Sequence, residues 1–201
     1  LSQPSFSYHA IPTEGIKSSI YFDPERQSIY TSNKGSESVM RFAVNNNSWT
    51  VTSASLKNID SAVMSPDRKS ILTTSTDNKI TLLDPVTLGV QSSYQTAGIA
   101  GYPHDARPRL TMTNNGKAYF QGANFSDGLD YFDLVTRKFG KLKWSGLFYF
   151  YDGPWFNVSG DGDHLMIVQT AGLSPRPPML YLNSSDEVVK VNSAGIEAWY
   201  E

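Results

Sequence analysis

Cysteine is absent from this 201-residue chain, which excludes disulfide scaffolds, thiolate metal sites and cysteine nucleophiles. Neither sign of charge dominates: 17 Lys and Arg stand against 19 Asp and Glu, for a formal net charge of -2. Such a chain offers no basic field to hold nucleic acid or an anionic membrane as its main partner. Its apolar runs are far shorter than the roughly 20 residues that cross a bilayer as a helix, so no membrane insertion is expected. No amino-terminal signal pattern is present. The chain opens on LSQPSF without an initiator methionine and reads as a mature or excised fragment. There is no glycine-rich phosphate loop leading into a helix, no H-E-x-x-H and no G-x-S-x-G. The three histidines, His9, His104 and His164, have no ligand spacing of their own. Neither a metal nor a cofactor is expected, and no stretch sustains the 3.6-residue apolar period of a capped helix.

What the chain does have is a repeat. The segments DPERQSI (23–29), SPDRKSI (65–71), TNNGKAY (113–119) and SGDGDHL (159–165) share one order: a small polar residue, turn residues, then an apolar residue opening a β-rich run. They recur at spacings of 42, 48 and 46 residues. A second marker follows each: NNNSWTV (45–51), DPVTLGV (84–90), DLVTRKF (133–139) and NSSDEVV (183–189). Asp or Asn comes first, Ser, Thr or Asp three positions later, and an apolar residue six later. Asx and Ser/Thr side chains bond nearby backbone groups, so both markers read as tight turns. Between them lie short alternating runs such as SAVMS, SILTTS, KITLLD and GVQSSYQ, which read as strands. SGDGDHLM looks at first like a metal loop, but the downstream ligands of an EF-hand are missing and a strand, HLMIVQT, follows. Asp161 and Asp163 are thus read as the fourth copy of the turn.

Four short strands per repeat of about 45 residues predict a β-propeller blade. SPDRKSILTTSTDNKITLLDPVTLGV resembles the propeller repeats of the YVTN and lactonase-like, WD40-like type, with their SPDG turn, strand and D-x-x-T-x-x-V. Arg68 stands where that pattern has glycine, blade one lacks the D-x-x-T aspartate, and the WD dipeptide of classical WD40 repeats is absent. The expected architecture is all-β: about four blades of four antiparallel strands, at approximately 15–57, 58–95, 106–144 and 154–191, within one propeller domain or fragment. GIEAWY (195–200) overlies GIKSSI (15–20) as though a fifth blade were starting, and PSFSYHAI (4–11) reads as an outermost strand. The chain is therefore expected to be part of a six- to eight-bladed propeller, with a closed four-bladed ring as the alternative. Self-association through open blade edges is a third possibility.

The markers keep nearly constant length and fall on one face of such a propeller. The opposite face receives irregular connections at 96–108, 122–128, 145–155 and 170–178. Functional residues concentrate on loops carried by a rigid scaffold, which makes Tyr102, His104, Asp105, Arg107, Arg109, Tyr149, Tyr151, Trp155 and Arg176 the candidate ligand-binding residues. Phe148 and Asp152 lie in the same stretches. His104 and Asp105 are candidates for an acid/base pair, but adjacent side chains on an extended segment point opposite ways, which makes a direct pair geometrically awkward. Arg107 and Arg109 alternate onto one side, suited to a carboxylate or phosphate; an ordinary salt bridge is the competing reading. LFYFYDGPWF (147–156) offers either a stacking platform for sugars or proteins or rings buried between blades. The N-x-S sequons at Asn46, Asn124, Asn157 and Asn183 read as incidental in an asparagine-rich chain. The expectation is a ligand- or protein-binding module with a protein, glycan or small-molecule partner. The resemblance implies a bacterial, secreted, periplasmic or cell-surface setting. The alternatives are a lactonase-like or other hydrolase with its site on the insertion face, and a structural spacer.

Overall fold

The computed structural model describes residues 17–45, 48–98, 110–121, 129–142, 155–168 and 179–192. These residues form sixteen strands in four antiparallel sheets. Blade 1 contains β1 (Lys17–Asp23), β2 (Ser28–Asn33), β3 (Ser38–Asn45) and β4 (Ser48–Ser55). Blade 2 contains β5 (Ile59–Met64), β6 (Ile71–Ser75), β7 (Lys79–Leu83) and β8 (Val90–Gln95). Blade 3 contains β9 (Leu110–Met112), β10 (Lys117–Phe120), β11 (Leu129–Asp133) and β12 (Lys138–Leu142). Blade 4 contains β13 (Trp155–Val158), β14 (Leu165–Val168), β15 (Met179–Leu182) and β16 (Val188–Asn192). Within each sheet the strands pair in chain order as a meander. Successive blades meet along their first strands, β1 with β5, β5 with β9 and β9 with β13. This is the four-bladed β-propeller arrangement that the repeat predicts.

Period-two alternation sends successive side chains to opposite sheet faces, and both faces of an inner blade are apolar. The core is accordingly three slabs, one per seam. Between blades 1 and 2 lie Tyr30, Val39, Ala62, Ile71 and Leu83. Between blades 2 and 3 lie Val63, Leu72, Leu82, Met112, Ala118, Phe120 and Phe132. Between blades 3 and 4 lie Tyr119, Leu129, Phe156, Leu165 and Ile167. Adjacent residues split between seams: Ile71 faces blade 1 while Leu72 faces blade 3.

The register corrects the repeat alignment at one point. Phe22 pairs with Ile29, Met64 with Ile71 and Val158 with Leu165, but Met112 pairs with Ala118. The first turn of blade 3 is one residue shorter than the other three. A one-residue slip moves every following side chain to the other face, so the structural equivalent of Tyr30 and Leu72 is Tyr119, not Phe120. Gly116, at φ 81°, closes this turn through its N–H to the Thr113 carbonyl, the same bond that Arg68 and Gly162 make in the longer turns of blades 2 and 4, so the missing residue falls after that position.

Candidate functional site

The turns after first and third strands lie on one face, and their polar side chains are used up in holding shape. Asp84 Oδ1 accepts the N–H groups of Val86 and Thr87 and the Thr87 hydroxyl. Asp133 Oδ1 repeats this with Val135 and Thr136, and Asn183 Oδ1 accepts from Ser185 and Glu187. Both carboxyls are held below the usual range, first by the backbone N–H of the threonine at the third position. In SGDGDHLM, the Ser159 hydroxyl donates to Asp161 Oδ1, which also accepts the Asp163 N–H, while the His164 N–H donates to Ser159 Oγ. Ser65, Asp67, Lys69 and Ser70 make the same set in blade 2. Among the described residues no cluster of His, Asp and Glu has the form of a metal site.

These turns also lock neighbouring blades together. The Asn114 N–H donates to the Gly162 carbonyl at 2.8 Å, and its side-chain amide donates to the Asp161 carbonyl at 2.7 Å. The Tyr30 hydroxyl reaches from blade 1 to the Pro85 carbonyl of blade 2 at 2.7 Å. Its equivalent, Tyr119, donates to Asp186 in the third-strand turn of blade 4, and Lys117 pairs with the same carboxylate. Burial is the chief reason the Tyr119 hydroxyl titrates above its usual range. The turn face is a structural collar whose donors and acceptors are largely committed.

The opposite face carries a cavity of about 180 Å³ at the outer end of the seam between blades 2 and 3. It is lined by Thr96, Ala97, Gly98, Phe120, Asp130, Phe139, Gly140 and Lys141. Phe120 and Phe139 form an apolar wall, edge to face at 6.3 Å. Asp130 and Lys141 face the same seam from paired positions on β11 and β12, with Lys141 Nζ 3.7 Å from Asp130 Oδ1. Thr96 folds the start of the inter-blade connection by accepting the Gly98 N–H on its Oγ1 at 3.0 Å. The side without Cβ at Gly140 is occupied by Tyr131, whose ring would lie 2.3 Å from an added Cβ. The cavity thus combines aromatic surface, a cation, an anion and a hydroxyl, a set suited to a small ligand with both polar and apolar parts.

The lining residues are the roots of three irregular connections. One follows Gly98, one follows Phe120, and one follows the Lys141 end of β12. Of the residues picked from the sequence, Tyr102, His104, Asp105, Arg107, Arg109, Tyr149, Tyr151 and Arg176, with Phe148 and Asp152, lie outside the described residues. Trp155 opens β13, the first strand of blade 4, and its side chain lies outside them too. Sequence reasoning singled out the connections and missed the residues at their stems. The available signal was position: Phe120 ends β10, Lys141 is the last residue but one of β12 and Thr96 directly follows β8, each at the point where regular spacing breaks.

No family model matches the chain, and no curated protein matches it in sequence. Solved structures do match in fold. Hydrazine synthase of Kuenenia stuttgartiensis superposes with a TM-score of 0.64 at 14% identity, over 92% of this chain and 51% of that one. The β-propeller domain of Cps50 (Swd1) from Myceliophteria thermophila gives 0.58 at 13% identity, over 90% and 56%. A putative 6-phosphogluconolactonase from Bacteroides uniformis gives 0.58 at 12% identity, over 88% and 53%. The chain therefore has the β-propeller fold, and it spans about half the length of these three proteins. At these identities the likeness establishes architecture and leaves the chemistry to the site.

Proposed function

We propose that this chain is a ligand-binding module of the YVTN/lactonase-like propeller type, taking a small polar ligand or the exposed tip of a protein or glycan on its insertion face. One observation carries the reading: the cavity between blades 2 and 3 is walled by the stems of three of the four irregular connections. Variable loops and a preformed concavity coincide there, while the opposite face spends its polar groups on its own turns. Phe139, 38% exposed and backed by the buried Phe120, supplies a stacking surface, and Asp130 and Lys141 supply opposite charges for hydroxyl, carboxylate or ammonium groups.

Equilibrium binding to an array of neutral, acidic and amino glycans tests the reading, with Phe139→Ala and Lys141→Ala as site variants. Binding that falls at least tenfold in either variant supports it; binding unchanged in both would place the ligand elsewhere and refute it. The competing reading is a lactonase-like hydrolase, motivated by the fold shared with the putative phosphogluconolactonase. Base uptake on adding a sugar lactone, measured by pH-stat, favours the hydrolase when it scales with protein concentration.

A further inference from the structure

We propose that the cavity between blades 2 and 3 takes a single neutral sugar ring, a pyranose carrying hydroxyls and no formal charge; this rests on the ligand-binding reading above and narrows it to one chemical class. Strand pairing sets one wall. Phe120 lies opposite Asp130 and Asp130 opposite Lys141, so the three share one row and one face of blade 3, with Ala118, Phe132 and Phe139 forming the next row. Thr96, Ala97 and Gly98 of blade 2 make the other wall. That stretch is fixed by the Thr96 N–H on the Asn78 carbonyl at 2.8 Å and by the Gly98 N–H on Thr96 Oγ1 at 3.0 Å. Both walls are therefore set before a ligand arrives, which lowers the entropic cost of binding.

The propeller itself does not require charge in this row. Its equivalent in blade 2 is Thr73, Thr81 and Ser93, where the Thr73 hydroxyl donates to the Thr81 carbonyl and the Thr81 and Ser93 hydroxyls bond each other. In blade 1 the row is Thr31, Met40 and Ser53, and in blade 4 the register places Ile167, Leu180 and Val191 there. Of these four equivalent rows, that of blade 3 alone carries charges, and it is the one that opens onto a cavity.

The kind of charge selects the ligand. Lys141 Nζ and Asp130 Oδ1 stand 3.7 Å apart, with their side chains 23% and 22% exposed. At that distance they neutralise each other without closing a hydrogen bond, for which N···O is about 2.7–3.2 Å. An ammonium has three donors and a carboxylate several acceptor positions, so each takes more than one partner. A hydroxyl is donor and acceptor at once. Neighbouring ring hydroxyls can therefore donate to Asp130 and accept from Lys141 while the ion pair stays together. A charged group gains less: an anion drawn to Lys141 is brought beside Asp130, a cation drawn to Asp130 is brought beside Lys141, and repulsion offsets each attraction. A zwitterion would have to shed water from two further charges to split a pair already made. The exposed Phe139 ring offers its surface to the apolar face of a pyranose. The volume of about 180 Å³ lies below the roughly 300 Å³ at which pockets for drug-sized ligands begin, which limits the guest to one ring.

The test is equilibrium titration of the 201-residue chain with glucose, galactose and mannose, each beside its uronic acid and its 2-amino counterpart, and with free phenylalanine. At least one neutral pyranose should bind saturably, and its acidic and amino counterparts should bind about tenfold more weakly. Asp130→Asn leaves Lys141 without its counter-charge and should shift preference toward the uronic acid; Lys141→Gln should shift it toward the amino sugar, each with an unchanged circular dichroism spectrum. A cross-strand ion pair that only stabilises the sheet would move neither ratio. A charged sugar or phenylalanine that outbinds every neutral pyranose, and is lost in Phe139→Ala, overturns this inference while leaving the cavity as the ligand site. A neutral pyranose whose binding ignores Phe139→Ala, Asp130→Asn and Lys141→Gln overturns both readings, and no saturable binding by any pyranose overturns the sugar assignment.

Discussion

Removing the ring at Phe132 should separate blades 2 and 3 more than any surface change can. The side chain is fully buried in the seam, with its centroid 4.8 Å from Tyr94 of blade 2 and 5.1 Å from Phe139 of its own blade. Burying a phenyl ring and then replacing it by a methyl group costs about 3–5 kcal/mol when the cavity does not collapse. Two tilted aromatic contacts, each worth about 0.5–1.5 kcal/mol, place this site in the upper part of that range. Collapse is hindered because Phe132 sits on a paired strand, where the ladder to β10 and β12 fixes the backbone. Phe132→Ala should therefore lose about 4 kcal/mol, and at roughly 2 kcal/mol per molar urea the unfolding midpoint falls by about 2 M. In a repeat array the loss falls on one interface, so the transition should also broaden or split as the two sides unfold separately. Urea titrations followed by far-ultraviolet dichroism and tryptophan fluorescence read both effects. Val135→Ala, in a turn and 82% exposed, is the control and should stay within about 0.5 kcal/mol. A Phe132→Ala loss below about 1 kcal/mol would refute the claim that apolar seams hold the blades together.

Lys34→Met should cost about 3 kcal/mol, because it strands the buried Asp60 carboxylate now 2.7 Å from Lys34 Nζ; adding Asp60→Asn should recover much of that in a denaturation series. Arg68→Gly should stabilise by about 0.5–1 kcal/mol in the same assay, since Arg68 holds φ at 55° and reaches Asp23 and Glu25 only at 3.8 and 3.7 Å. Gly162→Ala should destabilise by about 1–2 kcal/mol, because φ is 81° there and the new Cβ would lie 2.7 Å from the Asn114 amide that ties blade 3 to blade 4. Asp84 and Asp133 are held below their unfolded values, so their contribution is complete above about pH 4 and disappears as pH falls through the lowered values. Thermal midpoints measured from pH 6 to pH 2 should decline below about pH 4, and Asp84→Asn/Asp133→Asn should shrink that decline; an identical acid profile in the variant contradicts the assignment.

The fold was legible because propeller blades are punctuated by side chains that make their own turns. Asp84 with Thr87, and Ser65 with Asp67, announce their geometry through residue type alone. Register was less legible. A gap-free reading of TNNGKAY against SPDRKSI assigns Phe120 to the wrong seam, because side-chain chemistry marks a turn without counting its length. The tyrosine bridges were hidden for a related reason: Tyr30 and Tyr119 find Pro85 and Asp186 across 55 and 67 residues of chain, separations that no local pattern encodes. At the candidate site, the irregular connections were visible as breaks in spacing. The Phe120, Phe139, Asp130 and Lys141 wall was not, since each residue also fits an ordinary strand. Only pairing of β10, β11 and β12 brings them to one end of one seam.

The most direct test of the account is a map of backbone amide shifts during titration with the glycan that binds best. Binding in the cavity between blades 2 and 3 should perturb Thr96, Gly98, Phe120, Gly140 and Lys141 most, with smaller shifts spreading into the connections that leave them. Perturbations centred instead on the turn face, at 65–70, 113–117 and 159–164, would contradict it.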